Sequence, residues 1–146
     1  MTENNTRFVA VANEKGGVGK TAMVINLGAA LSKSGKKVLV VDMDPQHNAS
    51  SGLGVETGDD AVSVYDLLVE PGAYAAADAI CRTKWQGLDL IPSHIDLAGA
   101  EVELVAEEGR ENRLKNALKE LTGAYDVVLL DTPPSLSLLT INVFAY

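Results

Sequence analysis

Residues 13–22, NEKGGVGKTA, constrain this chain more than any other segment. They follow an apolar run at 8–12 (FVAVA) that reads as a buried parallel strand, and a helical period begins at Lys20. Strand, glycine-rich turn and helix in that order are the setting of a phosphate-binding loop. Gly16, Gly17 and Gly19 let the backbone wrap closely, so that successive N–H groups point at phosphate oxygens. The N-terminus of the following helix adds its positive dipole end. Lys20 is placed to reach β- and γ-phosphates, and the Thr21 hydroxyl to ligate Mg2+. Two residues depart from the common G-x-x-x-x-G-K-[ST] pattern: Glu14 stands where the first glycine is expected, and Lys15 adds a second lysine.

The rest of the chain repeats the alternation. After Lys20, Val24, Leu27 and Leu31 share one helical face, and residues 32–35 end the helix. Residues 37–41 form a second strand that stops at two acids, completing a βαβ unit. Residues 48–60, rich in Ser, Gly, Asn and Asp, read as a loop, and 63–69 (SVYDLLV) as a short helix. A third strand is expected at 88–91, closed by Pro92. Two helices follow across 96–120, broken at Gly109, the second burying Leu114, Ala117, Leu118 and Leu121. A fourth strand at 126–130 ends at Asp131, and a last helix starts at Ser135. The expected fold is α/β, a doubly wound and mostly parallel sheet of the P-loop NTPase kind. Such sheets commonly carry five or six strands, and four are evident. Residues 1–146 are therefore expected to be one domain that is the N-terminal portion of a longer fold, incomplete at its C-terminus.

Composition narrows the function. A hydrophobic fraction of 47% and a charged fraction of 22% are ordinary for a water-soluble core-forming chain. No run approaches a membrane span, and the N-terminus lacks an apolar signal region. One cysteine, Cys81, excludes an internal disulfide and fits a reducing cytoplasm. The net charge of −8 argues against a nucleic-acid footprint spread over these residues.

Three acids are placed to serve the loop. Asp131, at the end of an apolar strand, occupies a Walker-B-type position and can hold Mg2+ through its water shell. Asp42 and Asp44 end the strand next in sequence, in VVDMDPQHN, at the carboxyl edge where open α/β sheets bind ligands. Flanking one Met, they are expected to point to opposite sides and divide the work. Asp42 is the expected outer-sphere group for Mg2+, and Asp44 the group that reaches an attacking water. A turn at Asp44-Pro45 is the competing reading. His47 and His94 carry weak signals, Cys81 and Trp85 read as core or surface residues, and Glu101, Glu103, Glu107 and Glu108 as a solvated helix face.

Taken together, NEKGGVGKT, VVDMDPQHNASSGLG, DLAGAEVELV and VVLLDTPPSLSLLTIN resemble the ParA/Soj chromosome- and plasmid-partitioning ATPases, in register from Phe8 to Asn142. Their "deviant" loop, K-G-G-x-G-K-[ST], carries an extra lysine, which Lys15 matches. The resemblance implies ATP/ADP and Mg2+ as ligands, with Lys15, Gly16, Gly17, Val18, Gly19, Lys20, Thr21 and Ala22 around the triphosphate. Thr21, Asp42 and Asp131 would serve the metal, and Lys15, Lys20 and Asp44 the hydrolysis. It implies an ATP-dependent homodimer in which Lys15 reaches the partner's site, stabilising the departing γ-phosphate as an arginine finger does. It implies a ParB-type protein that stimulates hydrolysis, non-specific DNA held mainly by a C-terminal half that is not present here, no membrane, and a cytoplasmic, nucleoid-associated location. Ala22 stands where many relatives have a second threonine, and His47 where a glycine is common. The alternatives are a MinD-like membrane-associated positioning ATPase, or a metabolic P-loop enzyme such as a dethiobiotin-synthetase-like ligase. A nitrogenase-type reductase needs paired cysteines that this chain lacks.

Overall fold

The computed structural model describes residues 5–12, 19–135 and 137–145. Five strands form one sheet in the order β1-β5-β2-β4-β3. They are β1 (Arg7–Val11), β2 (Val38–Asp42), β3 (Cys81–Arg82), β4 (Leu88–Ile91) and β5 (Val127–Asp131). The first four in spatial order run parallel, and β3 pairs antiparallel with the outer edge of β4. β3 is the strand that the sequence did not announce. Two residues are too few to show a period, and they gain strand geometry only by pairing with Asp89 and Leu90.

Helices cover both faces. α1 (Lys20–Lys33) and α2 (Asn48–Gly52) lie on one side; α3 (Val64–Val69), α4 (Ala100–Leu104), α5 (Arg113–Leu118) and α6 (Leu138–Phe144) lie on the other. β2 shows why both faces are apolar: Leu39 and Val41 enter the core under α3 to α6, while Val38 and Val40 enter the core under α1, all fully buried. Burying a side chain of this size stabilises the fold by roughly 1.5–3 kcal/mol. α5 and the turn after it bury Leu114, Leu118 and Leu121 as the period predicts, with Ala117 packed against that cluster.

α1 departs from expectation in its contact face. Its buried stripe is Lys20, Val24, Gly28 and Ser32, while Leu27 is 37% exposed. Close approach decides this. A Cβ on Gly28 would meet the Leu88 side chain at 3.2 Å, so the glycine lets the helix settle onto β4 and β5. Met23 and Leu27 of α1 and Val9 of β1 are left exposed beside a sheet edge that pairs on one side only. Residues 48–60, expected as loop, open with α2. Residues 96–120 form α4 and α5, separated at Gly109 as expected, but both are short and continue into tighter single turns at 95–99, 110–112 and 119–121. The acidic face is engaged as well as solvated: Glu103 accepts from the Tyr65 hydroxyl (2.7 Å) and Glu107 pairs with Arg113 (3.2 Å).

Candidate functional site

Sheet register builds the site. In β1, β5 and β2, the residues Val11, Asp131 and Asp42 stand side by side as the last rung before the strands end. Neighbouring parallel strands lie about 4.8 Å apart, so two carboxylates meet at the edge where β1 passes into the loop. Thr132 ties that edge together by donating its hydroxyl to Val11 O (2.8 Å). Residues 13–18 lie outside the described set, so the expectations for Lys15, Gly16, Gly17 and Val18 concern residues without a structural account. Description resumes at Gly19, whose φ of 77° is left-handed, open to glycine at little cost. It caps α1, which begins with Lys20 and Thr21.

The loop's two side chains and Asp131 come together. The Thr21 hydroxyl donates to Asp131 Oδ2 at 2.9 Å. Lys20 is 9% exposed and, among the described residues, forms no ion pair within 4 Å. An ammonium that is buried and unpaired is costly unless an anion completes it. Asp131 is fully buried, and its Oδ1 has no hydrogen-bond partner among the described residues. Its carboxyl is pushed up to about 6, first by burial and then by the charge of Asp42, against the lowering effect of Thr21 and Lys20.

These features fit a hard divalent cation: a buried carboxylate with one idle oxygen, a hydroxyl beside it, and a raised proton affinity that a cation would reverse. Among the described residues no group of three or more His, Cys, Asp or Glu forms a metal cage. A metal held here would draw the remainder of its shell from water and phosphate, which suits Mg2+.

Asp42 and Asp44 are both buried, but they do not face opposite sides. Residues two apart along a strand share a face, and it is Met43 between them that turns into the opposite core. The charge of Asp44 bears on both Asp42 and Asp131. Asp42 uses both oxygens within its own loop: Oδ1 accepts from Asp44 N (3.1 Å), and Oδ2 from Ser50 N (2.9 Å) and the Ser50 hydroxyl (2.7 Å). Burial raises its pKa, and these bonds oppose the rise. Asp44 makes the turn of the competing reading: its Oδ1 accepts from Gln46 N (3.0 Å) and its carbonyl from His47 N (2.8 Å). Its Oδ2 makes no hydrogen bond among the described residues, so the turn and a water-directed role are compatible.

Two serines were not anticipated. Ser50 ties α2 to Asp42, and Ser93, just past β4, donates to Asp44 O (2.7 Å) while its N–H reaches the Ser50 hydroxyl. The one available signal was the position of Ser93 just after a strand end, where short hydroxyl side chains stabilise turns. His47 is the one described non-glycine residue with positive φ, at 46°. Glycine would adopt this backbone at little cost.

A mostly parallel α/β sheet with a glycine-rich loop, Lys-Thr at the helix start and strand-end aspartates is a P-loop nucleotide-binding fold. The AAA domain family matches residues 6–146, and the chain belongs to it. It is 52% identical over 136 residues to the sporulation initiation inhibitor protein Soj of Bacillus subtilis, covering 93% of this chain and 53% of Soj. It is 46% identical over 144 residues to the chromosome partitioning protein ParA of Caulobacter vibrioides, covering 97% and 53%. It also superposes with a TM-score of 0.88 on a solved Mycobacterium smegmatis protein described as cobyrinic acid a,c-diamide synthase with bound ATP analog and magnesium. That match has 48% identity and covers 94% of this chain and 55% of the other. The ParA/Soj resemblance read from the motifs is borne out, and the chain spans about half the length of the curated relatives it matches.

Proposed function

We propose that this chain binds Mg-ATP at the carboxyl edge of its sheet and acts in an ATP-switched partition protein. The observation that carries the reading is the Thr21–Asp131 bond beside a buried, unpaired Lys20, with Asp131 Oδ1 left idle. Lys20 and the N-terminus of α1 would hold the phosphates, and Thr21 and Asp131 the Mg2+, with Asp42 fixing the loop behind them. Bound there, Mg2+ would neutralise phosphate charge and orient the γ-phosphate for attack. Asp44 Oδ2 would orient the attacking water. The ATP analog and magnesium in the solved relative support this choice of ligands.

The chromosome-partitioning name of the Caulobacter vibrioides relative supports the partition role, which would take a homodimer formed with ATP, a ParB-type partner that stimulates hydrolysis, and DNA, in the cytoplasm. Among the described residues no helix is long and apolar enough to cross a membrane. Residues 1–146 would be one P-loop ATPase unit. The further length of the relatives would add strands at the open edge of β1 and cover Val9, Met23 and Leu27.

Lys15 tests the dimeric mechanism. In the full-length protein Lys15→Ala should keep near-normal ATP affinity yet lose ATP-dependent dimerisation and hydrolysis, read by light scattering and phosphate release. Mixing it with Lys20→Ala subunits should restore some hydrolysis, because the intact Lys15 of one serves the intact nucleotide site of the other. Normal hydrolysis by Lys15→Ala alone, or loss of ATP binding, would refute the action in trans.

A further inference from the structure

The nucleotide site gathers carboxylates at one end of the sheet; cations gather at the other. Lys36 and Lys37 precede β2, Arg82 ends β3, and Lys84 and Trp85 lie in the turn into β4. With Lys33 at the end of α1, these are five of the twelve basic residues of an acidic chain, and Arg7 at the start of β1 stands at the same end of the sheet. All five are exposed, and among the described residues none forms an ion pair within 4 Å.

The surface between them is concave. A cavity of about 610 Å³ is walled by Lys37, Arg82, Lys84, Trp85 and Tyr125, and it adjoins one of about 470 Å³ walled by Lys33, Lys36 and again Lys37 and Trp85. The two share Lys37, Gln86, Gly87 and the half-buried Trp85, which also packs against the core beneath α1, so they adjoin along one bent groove. The Lys84 ammonium sits 4.5 Å from the indole centroid. Two acids border the groove, each with one oxygen engaged: Asp126 accepts from Lys37 N (2.8 Å) and Asp89 from the Tyr125 hydroxyl (2.8 Å). The positive charge of the groove therefore exceeds its negative charge.

We infer that this groove binds single-stranded nucleic acid, with the phosphodiester chain running along Lys33, Lys36, Lys37, Arg82 and Lys84 and an unpaired base seated against Trp85. An open channel lined by cations and carrying an aromatic platform is how proteins take a single strand without reading its sequence. A duplex hides its base faces and gains nothing from Trp85. A free mononucleotide fills only one lobe. The site lies at the far end of β2 from Asp42, roughly 13 Å along a strand of this length. It is thus distinct from the ATP site.

Trp85 is the only tryptophan in the chain, so its fluorescence reports this groove and no other surface. The probe is an oligothymidylate of about 12 nucleotides, within the usual span of such sites. It is titrated into the protein without ATP or Mg2+ over a series of salt concentrations. Expected are saturable quenching of Trp85 and an affinity that falls with salt at a slope of about −0.7 for each phosphate contacted. Arg82→Ala with Lys84→Ala, and separately Lys36→Ala with Lys37→Ala, should each weaken binding at least tenfold and reduce the slope by about 1.4. Unchanged melting temperatures would show that these variants fold. Lys20→Ala should bind the strand as the parent does, which separates this inference from the ATP reading. Binding without a Trp85 response, equal affinity for a duplex or for thymidine monophosphate, or equal displacement by polyglutamate would overturn it.

Discussion

Replacing Asp131 by Asn should make the nucleotide-free protein more stable at neutral pH, although the residue is fully buried and hydrogen-bonded. Burial and Asp42 hold the carboxyl at about 6, above its ordinary 3.8. The folded state therefore binds this proton more tightly than the unfolded state does. Stability contributed by the group is present below about pH 4 and is lost as pH rises towards 6. At roughly 1.4 kcal/mol per pKa unit, the ionised form costs the apo protein about 3 kcal/mol at pH 7.5. Asparagine removes that charge and can still accept from Thr21. Its amide N–H2, lodged where Oδ1 has no partner, costs about 1–2 kcal/mol in return. The net expectation is a gain of about 1–2 kcal/mol at pH 7.5 that vanishes near pH 5 and reverses near pH 4. Urea unfolding of both proteins across this range, without ligands, reads the difference directly. Adding Mg-ATP should stabilise the parent and not the variant, since the idle oxygen that would face the cation is gone. A variant destabilised equally at pH 4 and pH 7.5 would refute the reasoning and make Asp131 a structural hydrogen-bonding group.

Two further outcomes follow from the same loop. Asp44→Asn in the full-length protein should keep the Gln46 N cap and bind ATP, but hydrolyse it about 10²–10⁴ times more slowly; a rate within threefold of the parent would leave Asp44 as a turn former only. His47→Gly relieves a left-handed backbone that costs about 1–2 kcal/mol and adds about 0.5–1 kcal/mol of chain entropy to be lost on folding. The melting temperature should rise by about 1–4 °C, whereas a fall would mean that the His47 ring, 3.4 Å from the Ser51 hydroxyl, holds the loop.

What could be read from the sequence divides by physical scale. β1, β2, β4 and β5 are continuous apolar runs flanked by turn formers, because parallel strands are buried on both faces; each was legible within a residue of its observed ends. The place of Asp131 at the carboxyl edge of the sheet was legible because its strand ends there. β3 was not, since its two residues are strand only through β4. Of the expected α1 face, Val24 is buried and Leu31 packs against the same core, and Leu27 alone is displaced, because Gly28 sets how closely the helix can approach. The Ser50–Asp42 and Ser93–Asp44 bonds join residues up to 49 positions apart, a proximity that no local pattern contains. The cationic groove was hidden in the same way: a net charge of −8 is an average, and folding brings the cations of two separate segments, 33–37 and 82–84, to one end of the sheet.

The central claim is that Lys20, Thr21 and Asp131 form a Mg-nucleotide site, and calorimetric titration of Mg-ATP into the parent and Lys20→Ala tests it most directly. Lys20 is the one buried cation beside the Asp131 carboxylate among the described residues, and charge-assisted bonds to phosphate are worth about 1.5–3 kcal/mol each. Saturable binding by the parent, weakened at least about 100-fold in Lys20→Ala and dependent on Mg2+, is the predicted result. Equal affinity in the two proteins would contradict the account.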